Sequence, residues 1–429
     1  MKLLVNGQGR LNGRCSVPSD KSISHRSLML GVLAQSEMVI HNLLPSADVL
    51  STLSCLKQLG FSIEENDGIR IHPEGHRLQQ NQILDCGNSG TTMRLLTGLL
   101  APMGLSVVLD GDESLRRRPM ARVTKPLRQM GAQAHAQDNG CAPIRISPTE
   151  NLQYADIQLP VASAQLKSAC LLMGLQGAGC TVRGGGNSRD HTEIMLKSMG
   201  AKLATHENGT VSIHSGKLNG IELSVPGDFS SAAFVLSAAL ILPHSSVCIE
   251  AVNLNPTRTG LLDLITAMGA HVEVSLQSTS GEATGQLLVQ HSSLHGLSIP
   301  VAWIPRLIDE LPIIAVLATQ AKGQTIIRGA QELRYKESDR ISTTVSMLKA
   351  FGAVVEELDD GLIIEGPQQL RAGVIDPDRD HRIAMAAAVA ALCASGQSTI
   401  LNAECISVSF PAFSDLFSSL GAVMTCTEV

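Results

Sequence analysis

The chain has 429 residues, of which 44% are hydrophobic and 17% charged, with a formal net charge of −6. This composition excludes a disordered chain. The negative charge and an aromatic content of 2% argue against a nucleic-acid partner, which needs cationic surface and stacking platforms. The length exceeds one ordinary core, so two domains are expected.

The opening stretch MKLLVNGQGRLNG lacks the apolar core of a signal peptide, and no 18-residue apolar run follows. A cytoplasmic protein with no membrane association is expected. Ten cysteines are scattered without a CxxC or a Cys/His ligand spacing, so they read as reduced core residues and no metal is expected. Neither GxxxxGK[ST] nor GxGxxG occurs, and Asp309 and Glu310, being adjacent, would point apart on a helix. No nucleotide, metal or other cofactor is therefore expected.

Taken in chain order, the elements repeat. LKQLGF (56–61), LRQMGA (127–132), LKSMGA (196–201), ITAMGA (265–270), LKAFGA (348–353) and FSSLGA (417–422) place glycines at 60, 131, 200, 269, 352 and 421, with gaps of 71, 69, 69, 83 and 69. Each copy reads as the last turn of an amphipathic outer helix, closed by Gly and followed by a strand. Upstream of each glycine lies a second helix start: DKSISHR at 20, SGTTMR at 89, SAQLK at 163, GDFSS at 227, IDELP at 308 and DHRIAM at 380. The helices that follow, such as SLMLGVLA, RLLTGLLA, SACLLMGL, AAFVLSAAL and IAMAAAVAAL, are apolar on every face and should be buried. The short run Ile383 to Cys393 is one of them. Six units of two helices and several strands follow, three in each half.

A helix start presents free N–H groups and partial positive charge, which suits an anion. Here many starts also carry cations or hydroxyls. The first unit has Lys21, Ser22 and Arg26, with Ser22 and Arg26 on one face. The second has Asn88 to Arg94, where Gly90 permits close backbone approach, and then Arg116, Arg117 and Arg118, with Pro119 at the first position of the next helix. The third has Ser163, Ala164, Gln165 and Lys167, then Ser188 to His191; Gly184-Gly185-Gly186 before it is a turn. The fifth has Lys336 to Arg340, with Lys336 and Arg340 on one face, and the sixth Asp380, His381 and Arg382. Two opposed sets of cationic ends would repel unless an anion lay between them, so an interdomain cleft that closes on anionic ligand is expected.

The segments PSDKSISHR, GNSGTTMRLL, DESLRRRPMARVTKPL, PVASAQLKSA, NSRDHTEIML, RLIDELPIIAV, ELRYKESDR and DHRIAMA, in this order, resemble the signatures of the 5-enolpyruvylshikimate-3-phosphate synthase family of enolpyruvyl transferases. The resemblance spans nearly the whole chain. It implies an α/β fold of two domains, each of three βαβαββ repeats around buried helices, an inside-out α/β barrel. One domain would hold residues 15–228 and the other 1–14 with 229–429, with the active site in the cleft between them. It further implies an enzyme that moves the enolpyruvyl group of phosphoenolpyruvate onto the 5-hydroxyl of shikimate 3-phosphate by addition–elimination, releasing phosphate for aromatic amino acid biosynthesis. The sequence itself offers no evident oligomerisation motif, so a monomer is expected. Glyphosate would be its inhibitor.

By resemblance, Lys21, Ser22, Arg26, Ser163, Ala164, Gln165, Arg189, Asp309 and Lys336 bind shikimate 3-phosphate. Lys21, Gly90, Arg118, Gln165, Arg340 and Arg382 meet phosphoenolpyruvate. Asp309, Glu337 and Lys21 share the proton transfers, with Asp309 the candidate base and His381 an orienting neighbour. Two departures stand out. Many members carry a Lys shortly before a final Phe-Pro, whereas this chain reads Ser407-Val408-Ser409-Phe410-Pro411, so one phosphoenolpyruvate contact is missing or supplied elsewhere. The stretches SAQLK, RDHTE and Asn255-Pro256-Thr257-Arg258 resemble a subgroup often tolerant of glyphosate, yet Gly90 stands where tolerant members can carry Ala.

Two alternatives are kept. A UDP-N-acetylglucosamine enolpyruvyl transferase would carry a reactive Cys before its Arg-Pro, where this chain has Asp112 to Arg117 with none. A non-catalytic phosphate-binding relative would show decayed catalytic groups, whereas Lys21, Asp309, Glu337 and Arg382 are all present.

Overall fold

The structure is a computed structural model that describes residues 1–7, 9–186, 188–279 and 281–428. The chain forms two compact units, Ser19–Val225 and Met1–Pro18 together with Pro226–Val429.

Each unit contains three small sheets built to one plan. In the sheet of Gln82–Asp85, Val107–Asp110, Ile144–Ser147 and Gln133–His135, the first pair is parallel and the next two are antiparallel. The parallel pair needs a crossover, supplied by helix Gly90–Leu100, and the antiparallel pair a short turn. The sheet of Ala155–Gln158, Cys180–Arg183, Val211–Ile213 and Leu203–Thr205 repeats the pattern. In the first repeat the parallel strand is borrowed from the far end of its unit: Glu222–Ser224 pairs with Met38–His41. The other unit borrows from the N-terminus. Asn12–Ser16 lies parallel to Ser246–Asn253, and Lys2–Asn6 sits antiparallel between Gln397–Ile400 and Val423–Thr427. The fifth repeat has three strands, with isolated bridges at His295–Lys322 and Ser298–Ile326 beside them.

The apolar helices Lys21–Gly31, Gly90–Leu100, Ala164–Gln176, Phe229–Ile241, Leu311–Gln320 and His381–Cys393 are buried along most of their length and form the middle of the two cores. Their starts are polar because each must satisfy free N–H groups. Side chains of Asp20, Ser89, Ser163, Asp228 and Asp380 accept from the first turn of five of them, and Pro312 occupies the first turn of the sixth. Among the described residues no helix is long and apolar enough to cross a membrane. All ten cysteines are free thiols, and burial pushes Cys15, Cys180, Cys393 and Cys405 up to about 12, which keeps them unreactive.

The outer helices end as the repeat implies. Gly60, Gly131, Gly200, Gly269, Gly352 and Gly421 have φ of 90°, 95°, 91°, 95°, 78° and 110°. One local expectation fails: Pro119 does not begin a helix. Arg116 and Arg117 end a short helix, Glu113–Arg117, Pro119 bridges to Cys141, and the next helix starts at Ala121. The extra helical turn arises because Asp112 caps it, accepting from Leu115 N–H at 2.8 Å.

The repeat glycines differ in surroundings, which yields a prediction. An added Cβ at Gly352 meets nothing within 4 Å, whereas at Gly131 it would lie 2.1 Å from the Asn151 carbonyl oxygen. Gly352→Ala should cost about 1–2 kcal/mol from the left-handed backbone alone. Gly131→Ala should cost clearly more, because backbone must move. Urea unfolding of the two variants checks this, and equal midpoints would contradict it.

Candidate functional site

In the unit Ser19–Val225, three inner-helix starts bring polar groups together. Asp20 caps its helix by accepting from Ile23 N–H at 2.9 Å, which places Lys21 and Ser22 at the first two helical positions. Lys21 Nζ lies 2.5 Å from Asp48 Oδ2, in the first turn of helix Ala47–Gln58. Arg26, one turn below, is buried. Its Nη1 donates to the Ser22 carbonyl at 3.0 Å, Nε to Thr192 Oγ1 at 2.7 Å and Nη2 to Ser168 Oγ at 3.0 Å. Ser22 and Arg26 thus do share a face, but the guanidinium is turned onto hydroxyls of the third repeat.

Gly90 begins the second inner helix directly after its cap, Ser89. A Cβ there would lie 2.8 Å from Arg94 Nη1 and 3.4 Å from Arg118 Nη1, so a glycine leaves room for both guanidiniums. Arg118 is buried and donates to Asn88 Oδ1 and, at 3.3 Å, to Ser114 Oγ. Its neighbour Arg116 instead makes an exposed pair with Asp110, 2.5 Å apart. Ser163 caps the third inner helix, followed by half-buried Ala164 and Gln165. Gln165 accepts from Arg94 Nη1 at 2.7 Å and donates to Thr91 Oγ1 at 2.9 Å, joining the second and third starts. Arg189 is half-buried, two residues before helix His191–Ser198. Arg94 lies within the GNSGTTMRLL motif but is not among the site residues that the resemblance implies. Its i, i+4 spacing from Gly90 was the available signal.

The second cluster belongs to the unit Met1–Pro18 with Pro226–Val429, and is centred on Arg340, 1% exposed. Arg340 Nε contacts Asp380 Oδ2 at 2.7 Å, Nη2 contacts Glu337 Oε2 at 2.6 Å, and Nη1 reaches Asp309 Oδ1 at 3.4 Å. Burial works against the guanidinium's charge, but Asp380, Glu337 and Asp309 outweigh it and hold its pKa above the ordinary value. Burial likewise opposes the Asp380 carboxylate, and Arg340 and His381 overcome it to leave its pKa lowered. Asp380 also caps the sixth inner helix through Arg382 N–H at 2.9 Å.

Asp309 is buried in the turn before helix Leu311–Gln320. Besides Arg340, its carboxylate meets Lys336 Nζ at 3.6 Å and Arg382 Nη2 at 3.8 Å, while its carbonyl accepts from Arg382 Nη1 at 2.9 Å. Lys336 does not share a helix face with Arg340. Asp339 caps a helix that begins at Arg340, accepting from Ile341 and Ser342 N–H, and Lys336 lies outside it in extended backbone. The two cations meet through Asp309 instead. Glu310 is also buried, accepting from Ser230 Oγ and lying 3.7 Å from Arg382 Nη1. Its role was not legible, because only the turn separates it from Asp309. Ser407 and Val408 end the 3₁₀ turn Ala403–Val408, Ser409–Pro411 follow it, and no Lys or Arg follows Arg382 anywhere in the chain.

Each unit therefore holds helix-start cations and hydroxyls suited to phosphate and carboxylate groups, and one also holds paired carboxylates for proton transfer. The chain's fold is that of an enolpyruvyl transferase: over 99% of its length it superposes on the enolpyruvyl transferase NikO from Streptomyces tendae, with a TM-score of 0.77 at 17% identity and 98% of that chain covered. A closer structural likeness is the EPSP synthase of Acinetobacter baumannii, with a TM-score of 0.88 and 38% identity over 100% of both chains. Residues 5–417 match the family described as EPSP synthase (3-phosphoshikimate 1-carboxyvinyltransferase). The 3-phosphoshikimate 1-carboxyvinyltransferases of Brevibacillus brevis and Caldicellulosiruptor saccharolyticus are 49% and 47% identical to it, covering 96% and 97% of this chain and 98% of each relative. The chain belongs to the EPSP synthase family. It is an enolpyruvyl transferase of the shikimate pathway.

Beneath Lys21 lies a buried histidine that generates a prediction. His25 Nδ1 contacts Thr52 Oγ1 at 2.8 Å, which meets Thr92 Oγ1 at 2.7 Å. Burial lowers the His25 pKa to about 3; Lys21 and Arg26 act in the same direction, while Asp48 and Asp20 oppose them. Its ordinary value is about 6.5, so between the two the unfolded chain binds a proton that the folded one refuses. The stability from neutral His25 is complete above pH 6.5 and is lost as pH falls toward 3, by about 1.4 kcal/mol per unit. Urea midpoints at pH 7 and pH 5 should drop further for the wild type than for His25→Gln. Equal drops would contradict a buried neutral His25.

Proposed function

We propose that the chain, acting as a monomer in the cytoplasm, transfers the enolpyruvyl group of phosphoenolpyruvate to the 5-hydroxyl of shikimate 3-phosphate and releases phosphate. The observation that carries this reading is the placement of Asp309 and Glu337 on one guanidinium. Asp309 Oδ1 lies 3.4 Å from Arg340 Nη1, and Glu337 Oε2 lies 2.6 Å from Arg340 Nη2. A base and a proton carrier are thus held at a fixed separation within a cationic surround.

On this reading Lys21, Ser22, Arg26, Ser163, Ala164, Gln165, Arg189 and Lys336 hold shikimate 3-phosphate, its phosphate near Arg189. Lys21, the Gly90 N–H, Arg118, Gln165, Arg340 and Arg382 hold phosphoenolpyruvate, with arginine forks matched to carboxylate and phosphate. Asp309 accepts the 5-hydroxyl proton as that oxygen bonds to C2 of phosphoenolpyruvate. Glu337, or Lys21 as the competing donor, delivers a proton to C3 and leaves a methyl group on a tetrahedral carbon. A C3 proton then returns to the protein, the C2–C3 double bond re-forms, and the C2–O bond to phosphate breaks. Lys21, Arg340 and Arg382 stabilise the charge that gathers on the departing phosphate. Arg26 acts here by holding the Ser22 backbone as much as by its own charge, since all three of its nitrogens donate within the protein.

A coupled assay of phosphate release tests the reading. Release from phosphoenolpyruvate with shikimate 3-phosphate is expected, and release with UDP-N-acetylglucosamine instead would overturn it. Asp309→Ala should lower turnover at least ~10²-fold while both ligands still bind; near-wild-type turnover would remove Asp309 from the mechanism. Both units must serve one pair of bound anions on this reading. Compaction on adding both ligands is therefore expected in small-angle X-ray scattering, and an unchanged radius of gyration would contradict it.

A further inference from the structure

The proposed ligand groups leave one conspicuous pair unused. Lys167 and Glu193 are both buried, at 2% and 3% exposure, with Lys167 Nζ 2.6 Å from Glu193 Oε1. Lys167 sits in the first turn of helix Ala164–Gln176, two residues after Gln165. Glu193 sits in the first turn of helix His191–Ser198, just after Arg189. The same ammonium donates to the Ser188 carbonyl at 3.1 Å, so it grips the loop one residue before Arg189.

That loop also accounts for the glycine run. Gly184 and Gly186 have φ of 74° and 50°, and Ser188 N–H donates to the Gly185 carbonyl at 3.1 Å. A Cβ on Gly185 would lie 3.2 Å from Lys167 Cδ. The bare backbone thus closes over the lysine stem. Beside that pair, one residue after Lys167 and one before Glu193, Ser168 Oγ and Thr192 Oγ1 lie 2.6 Å apart, and both contact Arg26. Two adjacent polar cross-links therefore join the same pair of helices, and the second reaches Ser22 through Arg26.

A buried ion pair adds little net stability, because desolvation offsets its Coulomb attraction; apolar residues of similar volume would hold two helices together as well. What it supplies is direction and fixed separation. We infer that Lys167 and Glu193 are positioning residues for shikimate 3-phosphate. The pair sets the distance between the Ser163–Gln165 helix start and the Arg189 loop so that both meet one ligand. This rests on the ligand assignments proposed above. A mismatch of about 1 Å between two halves of a binding site is enough to weaken it by one to two orders of magnitude.

The test compares Glu193→Gln, Lys167→Met, the double variant and Arg189→Ala in steady-state kinetics, with melting temperature recorded for each. Glu193→Gln and Lys167→Met should each raise the KM for shikimate 3-phosphate about tenfold, with kcat and the phosphoenolpyruvate KM within about threefold of wild type. The double variant should be no worse than the worse single change, because one coupled unit has been removed. If a lone buried charge keeps a single variant from folding, the double variant, which leaves none, decides the matter. A folded double variant with unchanged shikimate 3-phosphate KM overturns the inference. So does an equal rise in both KM values, or a double variant that cannot fold, since the pair would then serve the fold alone. Arg189→Ala separates the two levels: if it leaves that KM unchanged, the ligand assignment fails irrespective of the pair.

Discussion

The Arg340 guanidinium organises the second unit's site. A cation 1% exposed is tolerated only because Asp380, Glu337 and Asp309 surround it, and each of those carboxylates is fixed in turn by the cation. The arrangement ties elements that are distant in sequence. Asp380 caps helix His381–Cys393, Asp309 precedes helix Leu311–Gln320, and Arg340 opens helix Arg340–Ala350. Registering those three helix starts also places Arg382 against the Asp309 carbonyl and Lys336 against its carboxylate. Removing Arg340 would leave buried carboxylates facing one another, which is why its effect should exceed that of losing one ligand contact.

The two units use one repeat for different chemistry. In Ser19–Val225 the helix starts carry Lys21, Ser22, Thr91, Gln165 and buried hydroxyls, with Asp48 paired to Lys21. That set suits binding. In the other unit the equivalent starts carry Asp309, Glu310 and Asp380, interleaved with Arg340 and Arg382. That set suits moving protons beside anions. Buried apolar helices and their caps are common to both, so the fold delivers the starts and the residues at the first two or three positions decide the use. A third brace follows the same logic: Arg258 Nη2 contacts Asp228 Oδ1 at 2.6 Å and Ser230 Oγ at 2.9 Å, and Ser230 donates to Glu310.

Much of this was legible because it rests on single residues with one physical job. Six glycines at near-constant spacing marked six outer-helix ends, and all six adopt positive φ. The segments beginning at Asp20, Ser89, Ser163 and Asp380 read as helix starts, and each of these residues caps its helix. What was not legible depends on partners far away in sequence. The Arg116–Arg118 run looked uniform, yet Arg116 lies exposed on Asp110 while Arg118 turns inward to Asn88, a choice set by a short helix that Asp112 caps. Lys336 and Arg340 matched a helical spacing, but the Asp339 cap starts the helix too late to include Lys336. Arg26 reads from the sequence as a helix-start cation on the Ser22 face, and only the fold brings Ser168 and Thr192 to it. Lys167 was visible in its motif, but nothing in the motif pointed to Glu193.

The central claim is that the cationic surround of Asp309 and Glu337 supports addition–elimination through a methyl-bearing tetrahedral intermediate. Running the reaction in D₂O and analysing the product by mass spectrometry tests it most directly. Protonation of C3 from solvent followed by loss of one of three C3 hydrogens places deuterium on the vinyl carbon of a fraction of the product, and on recovered phosphoenolpyruvate if the first step reverses. The account predicts that label, and predicts its loss together with phosphate release in Asp309→Ala. Product formed at the wild-type rate with no deuterium at C3 would contradict it.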